Sequence, residues 1–459
     1  MKVSQAPGPA SLPGIGHAIG MLRDPPGFLS RVAKRYGDVV KLRFPGYPIL
    51  LISHPHDVED VLRHYHRHFV KDALTRKMAT VLGNGLLTSE GRTWRERRRI
   101  AQPAFHHEHF AAHAEIMVRS AERAIALWRD GEHRDIYRDM MRLTLDALSE
   151  ALFGVATTTF ADDVGWAVNL LSDRFQSVAV FVPPSLPLPA NFRLQKALRK
   201  LDDVVDGMIR ERRATEGDPK SLLSLLLAAT VREGGMDERQ LRDEIVTVLL
   251  AGYETPALAL SYAWYLLARH PEVETDLLVE IDRVLGERPA SVSDLPRLRV
   301  AEGIIRESMR LYPPAWLIGR EAVTPVVIGG YEIPRGFQIW ISQWVVHRDP
   351  RFFPEPERFL PGRWTREFSE ALPRYAFLPF GGGPRVCIGS AFALMESVLA
   401  LVTIARRYRF SLEPDRPLQL VPSATLRPKD GIGGFVSLRK PAGAPVDRNP
   451  PGTQQGRSP

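Results

Sequence analysis

The chain has 459 residues, with 61 Lys and Arg against 53 Asp and Glu, a formal net charge of +8 and one cysteine. This length allows a single large core or two to three domains, and the composition is that of an ordinary globular protein. One cysteine excludes a disulfide framework and indicates a reducing compartment. It also excludes an internal iron–sulfur cluster, which usually takes four cysteine ligands.

The positive charge comes mostly from arginine, and it reflects base composition as much as function. It favours a basic patch for an acidic protein partner at least as strongly as nucleic-acid binding. The N-terminus is rich in Pro and Gly and has no apolar signal core. We therefore expect a cytoplasmic protein that does not bind nucleic acid.

Short strands are predicted near the N-terminus, at Val39–Phe44 and Ile49–Ile52, with a turn between them. Helical periodicity then dominates residues 57–310. Within it lies a basic run, Trp94-Arg-Glu-Arg-Arg-Arg99, in which Trp94 and Arg98 share one helix face. A solvated run or a nucleic-acid patch is the ordinary explanation of such a segment.

The apolar run Ile245–Ala268 is long enough to span a bilayer. Glu254 and Pro256 lie at its centre, and a charge there is costly in lipid. The run therefore predicts a buried helix and no membrane span. Pro256 lacks an N–H and clashes with the carbonyl four residues earlier, so we expect a kink that frees the Gly252 carbonyl.

Ala251-Gly-Tyr-Glu-Thr255 occupies the middle of this helix, where an unpaired acid and hydroxyl would cost free energy. Two interpretations remain open from the residues alone. The Thr255 hydroxyl can bond back to the Ala251 carbonyl. Alternatively, a hydroxyl beside a carboxylate can deliver protons from water to a reacting group.

Farther along, Glu307 and Arg310 lie three residues apart on one helical face. Residues 326–334 predict a hairpin, and Gln338–Ile341 predicts a further strand. Residues 345–380 are rich in Pro and aromatics without clear periodicity, which is unusual inside a compact domain. A helix is predicted for Ser390–Arg407, and a disordered tail from residue 441.

The lone cysteine lies in Phe380-Gly-Gly-Gly-Pro-Arg-Val-Cys-Ile-Gly389. The glycines permit unusual backbone angles, and backbone N–H groups together with Arg385 can hold Cys387 as a thiolate. Such a thiolate is a metal ligand. The alternatives are a small buried cysteine or a nucleophile with a histidine partner. The phenylalanine and glycine pattern around Cys387 favours the metal ligand over both.

This segment resembles the haem-binding loop of cytochrome P450, and the resemblance covers about residues 7–440. It implies one domain over residues 1–459, mainly α with small β-sheets. In that fold, a triangular prism, haem b lies between the central long helix and the helix that follows the cysteine. Cys387 would be the thiolate ligand that favours O–O cleavage. Phe380, Arg385 and Gly389 belong to the same cofactor-binding loop.

The resemblance assigns further roles on matching motifs. The Gly-x-acid-Thr pattern of the central helix makes Gly252, Glu254 and Thr255 the catalytic residues for proton delivery. The Trp-x-x-x-Arg pattern makes Trp94 and Arg98 cofactor-binding residues, while the other arginines of that run are expected to be solvated.

Arg320 and Arg385 match arginines that bind the haem propionates. The Glu-x-x-Arg motif makes Glu307 and Arg310 a buried structural pair that holds the irregular segment beneath the haem. Spacing to the cysteine favours Arg363 as the third member over Arg358. His347 is expected to be structural.

Pocket residues follow from position alone, and all of them are apolar. A proline-stiffened loop beginning at residue 181 fits a lid over an access channel. We expect the substrate to contact Met78, Leu82, Phe181, Ala251, Ala315, Trp316 and Leu317. An apolar lining predicts a lipophilic small-molecule substrate.

The family resemblance implies a monooxygenase that inserts one oxygen atom from O2 by hydroxylation or epoxidation. No flavin-binding block is present, so electrons would come from a ferredoxin or flavodoxin with its reductase. Arg95, Arg97 and Arg385 would attract this redox partner to the cysteine side of the protein. A peroxide-driven peroxygenase or a haem-thiolate isomerase is one alternative class, and a haem sensor or carrier is another. None of these needs the acid–threonine relay. A nucleic-acid binder would show strongly salt-dependent binding to DNA.

Overall fold

The structure, a computed structural model, describes residues 1–44, 46–156, 160–176, 186–215, 218–231 and 235–439. The helices in this part of the chain are α1 (Ala18–Arg23), α2 (Pro25–Tyr36), α3 (Pro55–Glu59), α4 (Ala73–Lys77), α5 (Ala79–Leu82), α6 (Gly91–Ala101), α7 (Phe110–Ala126), α8 (Ile136–Leu148), α9 (Ala161–Gln176), α10 (Pro189–Ala214), α11 (Leu222–Thr230), α12 (Glu238–Leu267), α13 (Pro271–Val284), α14 (Arg299–Leu311), α15 (Gln343–Val346), α16 (Arg366–Ala371) and α17 (Ser390–Ala405).

The strands are β1 (Val39–Phe44), β2 (Tyr47–Ile52), β3 (Phe69–Lys71), β4 (His133–Asp135), β5 (Ile318–Ala322), β6 (Val326–Ile328), β7 (Tyr331–Ile333), β8 (Gln338–Ile341), β9 (Tyr408–Leu412), β10 (Leu420–Pro422), β11 (Leu426–Pro428) and β12 (Gly433–Leu438). The fold is therefore mainly α with small sheets, as predicted.

The largest sheet has the strand order β1-β2-β8-β5-β3. Its first two strands form the predicted antiparallel hairpin, with Val39 opposite Ile52. The β6–β7 hairpin also forms where it was predicted. Strand β8 runs parallel to β2 and antiparallel to β5, so it joins the large sheet and not that hairpin. The remaining strands were not predicted, namely β3, β4, β5, β9, β10, β11 and β12. The three-residue strands among them are too short to show a period of two, whereas a glycine turn marks β6 and β7.

Helix α12 is the centre of the main core and packs against α8, α14 and α17. Its N-terminus is fixed by a capping box, in which Asp237 and Gln240 satisfy each other's backbone N–H. Residues such as Leu249, Leu260 and Trp264 are almost fully buried. This burial on all sides explains why the helix is apolar all round.

One helix of the described chain, α12, is long and apolar enough to cross a membrane by length and composition. However, 78% of its most apolar window is buried inside the protein. The helix also continues through Pro256 without ending. The proline therefore does not interrupt the element, although the Gly252 carbonyl cannot receive an N–H from position 256.

Candidate functional site

The loop before α17 presents Cys387. The Cys387 N–H donates to the Phe380 carbonyl at 3.0 Å, which closes the loop. Gly381 and Gly383 have φ of 71° and 65°, in the left-handed region that favours glycine. A Cβ on Gly383 would lie 1.8 Å from the Leu62 carbonyl oxygen. The shape of the loop therefore requires glycine at these positions.

The Cys387 side chain is exposed even though protein surrounds it closely. Burial by this surrounding protein raises the pKa of the Cys387 thiol, while the Gly389 N–H and the Arg98 guanidinium lower it. Ala251 is likewise exposed, in the middle of a helix that is otherwise among the most buried. Because α12 packs on α17, the helix that follows Cys387, we infer that these two accessible positions face a common cleft.

Cations gather at one side of this region. The register of β3 and β5 places Lys71 opposite Arg320. The charge of Arg385 contributes to lowering the pKa of both side chains. Burial and the neighbouring arginines lower the pKa of Lys71 to about 7, and burial and Arg385 lower that of Arg320 to about 10. Glu90 pairs with Arg385 and accepts the Lys71 backbone N–H at 2.7 Å. Three enclosed cations repel one another, so the cluster is suited to an added anion.

Trp94 and Arg98 lie on α6 beside the cysteine loop. Arg98 Nη1 donates to the Val386 carbonyl at 2.8 Å. The Arg385 guanidinium lies 4.0 Å from the centroid of the Trp94 ring, within the range of a cation–π contact. The structure therefore brings Trp94, Arg98 and Arg385 together around Cys387.

Arg97, on the same helix, departs from the prediction that the remaining arginines are solvated. It is 4% exposed, and its Nη1 lies 2.9 Å from Glu244 Oε1 on α12. Glu244 also accepts the Leu86 N–H at 3.0 Å, and burial raises its pKa to about 7. The prediction is wrong for Arg97 because this face of α6 lies against a buried carboxylate of α12, whereas Arg95 and Arg99 are exposed.

Glu307 forms the hub of a buried ion group. Arg310 Nη2 lies 2.8 Å and Arg363 Nε 3.0 Å from Glu307 Oε1. Glu307 also accepts the Trp364 indole N–H at 3.0 Å and the Leu360 backbone N–H at 3.1 Å. Both Glu307 and Arg310 are fully buried. The group thus ties α14 to the irregular segment that precedes the cysteine loop.

The structure places Arg363, and not Arg358, on this carboxylate. Arg358 is exposed and pairs with Glu355, although its carbonyl accepts from Arg310 at 2.9 Å. His347 is fully buried, and its Nε2 accepts the Leu378 N–H at 3.0 Å. Burial and the Arg310 charge lower the pKa of His347 to about 3.

The predicted relay residues are neighbours on α12, but their side chains bond elsewhere. Thr255 Oγ1 donates to the Ala251 carbonyl at 2.9 Å. Glu254 Oε1 accepts from Thr425 Oγ1 at 2.9 Å and pairs with Arg427. The structure therefore does not join Glu254 to Thr255. Thr425 and Arg427 escaped sequence reasoning because β11 is only three residues long.

The predicted pocket residues are only partly supported by their positions. Met78 and Ala315 are half-buried, whereas Leu82 is packed into the main core. The Trp316 indole N–H donates to the Ser423 carbonyl at 2.9 Å, and its ring packs in the apolar cluster against the large sheet, so its contact with substrate stays a prediction. Leu317 packs against that same cluster. Phe181 lies outside the described residues.

Comparison with known proteins identifies the family. The sequence profile described as Cytochrome P450 matches residues 6–432. The chain is 37% identical over 428 residues to cyclooctatin synthase of Streptomyces melanosporofaciens, covering 92% of this chain and 91% of the relative. It is also 37% identical to cyclooctat-9-en-7-ol 5-monooxygenase of the same organism, covering 91% and 90%. Pentalenene oxygenase of Streptomyces avermitilis is 35% identical, covering 91% and 94%.

The chain belongs to the cytochrome P450 family. It is a haem-thiolate monooxygenase for lipophilic small molecules. The residues present fit the haem that the family implies. An accessible thiol lies in a glycine cradle, and the cations around Arg320 suit a group that carries two carboxylates.

Proposed function

We propose that this chain hydroxylates or epoxidises a cyclic, mostly hydrocarbon substrate of the terpenoid class, using haem b as its cofactor. The observation that carries the proposal is the accessible thiol of Cys387 in its glycine loop, together with the accessible apolar Ala251 in the middle of α12. The substrate class is supported by similarity along nearly the whole chain to proteins named for oxygenation of cyclooctat-9-en-7-ol and pentalenene.

Each group around the cleft has a distinct task in this proposal. Cys387 would ligate the iron, and the Gly389 N–H and Arg98 would favour its thiolate form. Trp94, Arg98, Arg320 and Arg385 would hold the propionates. Lys71, which no motif indicated, adds charge to that set. When bound there, haem supplies the activation of O2 and the insertion of one oxygen atom into a C–H or C=C bond.

Protons would be supplied by the α12 residues. Thr255 is only half-buried, so its hydroxyl is available to a group in the cleft. Glu254 would hold a proton for this region when its pairing with Arg427 and Thr425 loosens. Gly252 adds a carbonyl that lacks an N–H partner at Pro256. These three residues are thus proposed to act as the relay.

Thr255→Ala tests this assignment. The variant should keep its haem and consume electrons, but it should form several-fold less product per electron, because a positioned proton donor typically contributes 10²–10⁴-fold to rate. Thr275→Ala is the matched control, since Thr275 makes the same bond to a carbonyl four residues earlier on exposed α13. Equal product per electron in both variants would argue against the relay, and would revive the peroxygenase and carrier alternatives.

Electrons are proposed to come from a ferredoxin or flavodoxin, in a cytoplasmic, single-domain protein. Of the three arginines expected to attract it, Arg97 is buried and Arg385 is paired with Glu90. Arg95 therefore remains exposed for this task. Partner-supported turnover should fall as ionic strength rises. Turnover that is insensitive to salt would contradict electrostatic docking.

The proposed substrate class is tested by titrating haem-loaded protein with cyclic alkenes and, for comparison, with straight-chain fatty acids. Cyclic alkenes should displace the sixth iron ligand, seen as a shift in the visible spectrum, at lower concentration than the fatty acids. The reverse order would overturn the substrate class but not the family.

A further inference from the structure

Among the sixteen buried side-chain atoms that lack a hydrogen-bond partner in the described part of the chain, three come from three different elements near one another. They are Tyr137 Oη on α8, Tyr253 Oη on α12 and Arg427 Nη2 on β11. Tyr253 is 1% and Arg427 6% exposed. The large majority of buried polar atoms bond to protein or to ordered water. Three such atoms from converging elements therefore mark a place for water.

The Glu254–Arg427 ion pair joins α12 to β11, and the charges of both residues act on the two phenols. Burial raises the pKa of Tyr253, Glu254 raises it further and Arg427 lowers it. Burial likewise raises the pKa of Tyr137, again with opposite contributions from Arg427 and Glu254. Both phenols consequently stay protonated at neutral pH, and each can donate one hydrogen bond and accept others.

Another tyrosine of α12 offers a comparison, because its hydroxyl does have a partner in the protein. The Tyr262 hydroxyl donates to the Leu426 carbonyl at 2.8 Å, next to Arg427 in the chain. Tyr262 is thus satisfied by protein, whereas Tyr253, nine residues earlier on the same helix, is not. The pair provides a matched comparison on one helix.

Glu254 connects this cluster to the proposed relay. Both of its hydrogen bonds within the described part of the chain use Oε1, toward Thr425 and Arg427. Its side chain thus points to β11, while Thr255, the next residue, bonds along the helix. Glu254 is thus paired with Arg427 of the cluster and is the chain neighbour of Thr255, whose hydroxyl is half-buried.

We propose that Tyr137, Tyr253 and Arg427 enclose ordered water beside Glu254, and that this water returns protons to the Glu254 carboxylate. The site is named here the tyrosine chamber. When a proton leaves the Glu254 carboxyl, a proton from solvent replaces it by passing along the chamber waters, each of which accepts one proton and donates another. One proton thus enters from solvent for each one delivered, and no other bond changes.

The chamber approaches the surface at Tyr137. This residue is half-buried at the start of α8, and the adjacent Arg138 is exposed. The assignment of water to the chamber does not depend on the substrate or on turnover. The proton-supply role rests on the relay proposed above, so the two parts are tested separately.

Water is tested by a crystal structure of the haem-loaded protein at a resolution that shows ordered solvent. Density is expected within hydrogen-bond distance of Tyr253 Oη and Arg427 Nη2. A chamber without solvent density, or phenols bonded only to protein, would overturn the proposal whatever the enzyme's substrate proves to be.

Thermal unfolding of Tyr253→Phe and Tyr262→Phe gives a second, independent readout. If the chamber holds water, both variants lose a hydrogen bond, and both midpoints should fall by about 1 °C or more. If the chamber is dry, Tyr253→Phe removes an unsatisfied hydroxyl, so its midpoint should stay level or rise while that of Tyr262→Phe falls.

Proton supply is tested by product formed per electron consumed, and by its solvent deuterium isotope effect. Tyr253→Phe and Tyr137→Phe should each lower the yield at least two-fold and change the isotope effect, whereas Tyr262→Phe should change neither. If Thr255→Ala lowers the yield but the Tyr137 and Tyr253 variants do not, the relay stands and the chamber's role is refuted. If none of these variants lowers it, the relay itself fails.

Discussion

Glu307 is the residue on which the organisation beneath the cleft depends most. Its carboxylate accepts from two arginines, an indole and a backbone amide, and no part of the side chain reaches solvent. Forming such a buried group adds little net stability, because desolvation offsets the attraction. Removing one member is expensive, because it leaves the others charged and unpaired.

Glu307→Ala should therefore cost about 3–5 kcal/mol and abolish folded, haem-loaded protein. Arg363→Ala should have an effect of similar kind. Arg358→Ala should behave as wild type, because the Arg358 side chain is exposed and pairs with exposed Glu355. Haem content of the soluble fraction is the measurement. A soluble, haem-loaded Glu307→Ala variant, or equal losses in the two arginine variants, would refute this role.

For single residues, motif spacing predicted the role of a residue where that residue belongs to a fixed pattern near the cysteine. It selected Arg363 over Arg358, and the structure places Arg363 on Glu307. It gave no signal for Lys71 or Arg427, because both lie on three-residue strands, and Arg320 opposite Lys71 and Glu254 beside Arg427 are far away in sequence. It also missed the burial of Arg97, which depends on α12 packing against α6.

At the scale of elements, α12 combines a long buried helix with an internal proline. Pro256 is buried and leaves the Gly252 carbonyl without an N–H four residues later. The element continues past this residue to Leu267, and the kink expected at Pro256 stays a prediction. Packing on all sides holds the helix together across a residue that would end an isolated one.

Pro256→Ala should raise the free energy of unfolding by about 1–2 kcal/mol. A proline in a helix interior costs about 3 kcal/mol, and loss of the buried ring offsets part of that gain. Denaturant unfolding of both proteins measures the difference.

Pro271→Ala is the control for this variant. Pro271 is the first residue of α13, where a proline breaks no helical hydrogen bond, so no gain is expected there. A Pro256→Ala variant that gains nothing over the Pro271→Ala variant would show that the proline does not strain α12.

The elements themselves were predictable in proportion to their length and periodicity. The hairpin of β1 and β2 and the helix after the cysteine formed close to the expected residues. The partner of β8 was not predictable, because strand pairing is decided by the packing of the whole sheet and not by local pattern. The irregular segment before the cysteine is ordered by contacts to α14, which no local periodicity can reveal.

At the scale of the whole molecule, His347 links stability to pH. It is fully buried, and burial together with Arg310 lowers its pKa from 6.5 to about 3. The folded protein therefore keeps His347 neutral, whereas the unfolded chain takes up a proton below about pH 6.5. Its contribution to stability is complete above that pH and is lost as the pH falls.

Between pH 6.5 and pH 5 this residue alone should remove about 2 kcal/mol of stability. His347→Gln keeps a neutral side chain in place of the imidazole and should show a correspondingly flatter pH dependence, although its stability at pH 7 is lower. Urea unfolding of both proteins at pH 5, 6 and 7 measures this. Parallel pH profiles would mean that His347 does not carry the effect.

The claim on which all scales depend is that the thiolate of Cys387 ligates a haem iron in the cleft below α12. The direct measurement is the visible spectrum of reduced, haem-loaded protein under carbon monoxide, recorded for the wild type and for Cys387→Ser. The wild type should show the spectrum typical of thiolate ligation, and Cys387→Ser should lose it. A wild type without that spectrum, or a serine variant that keeps it, would contradict the account.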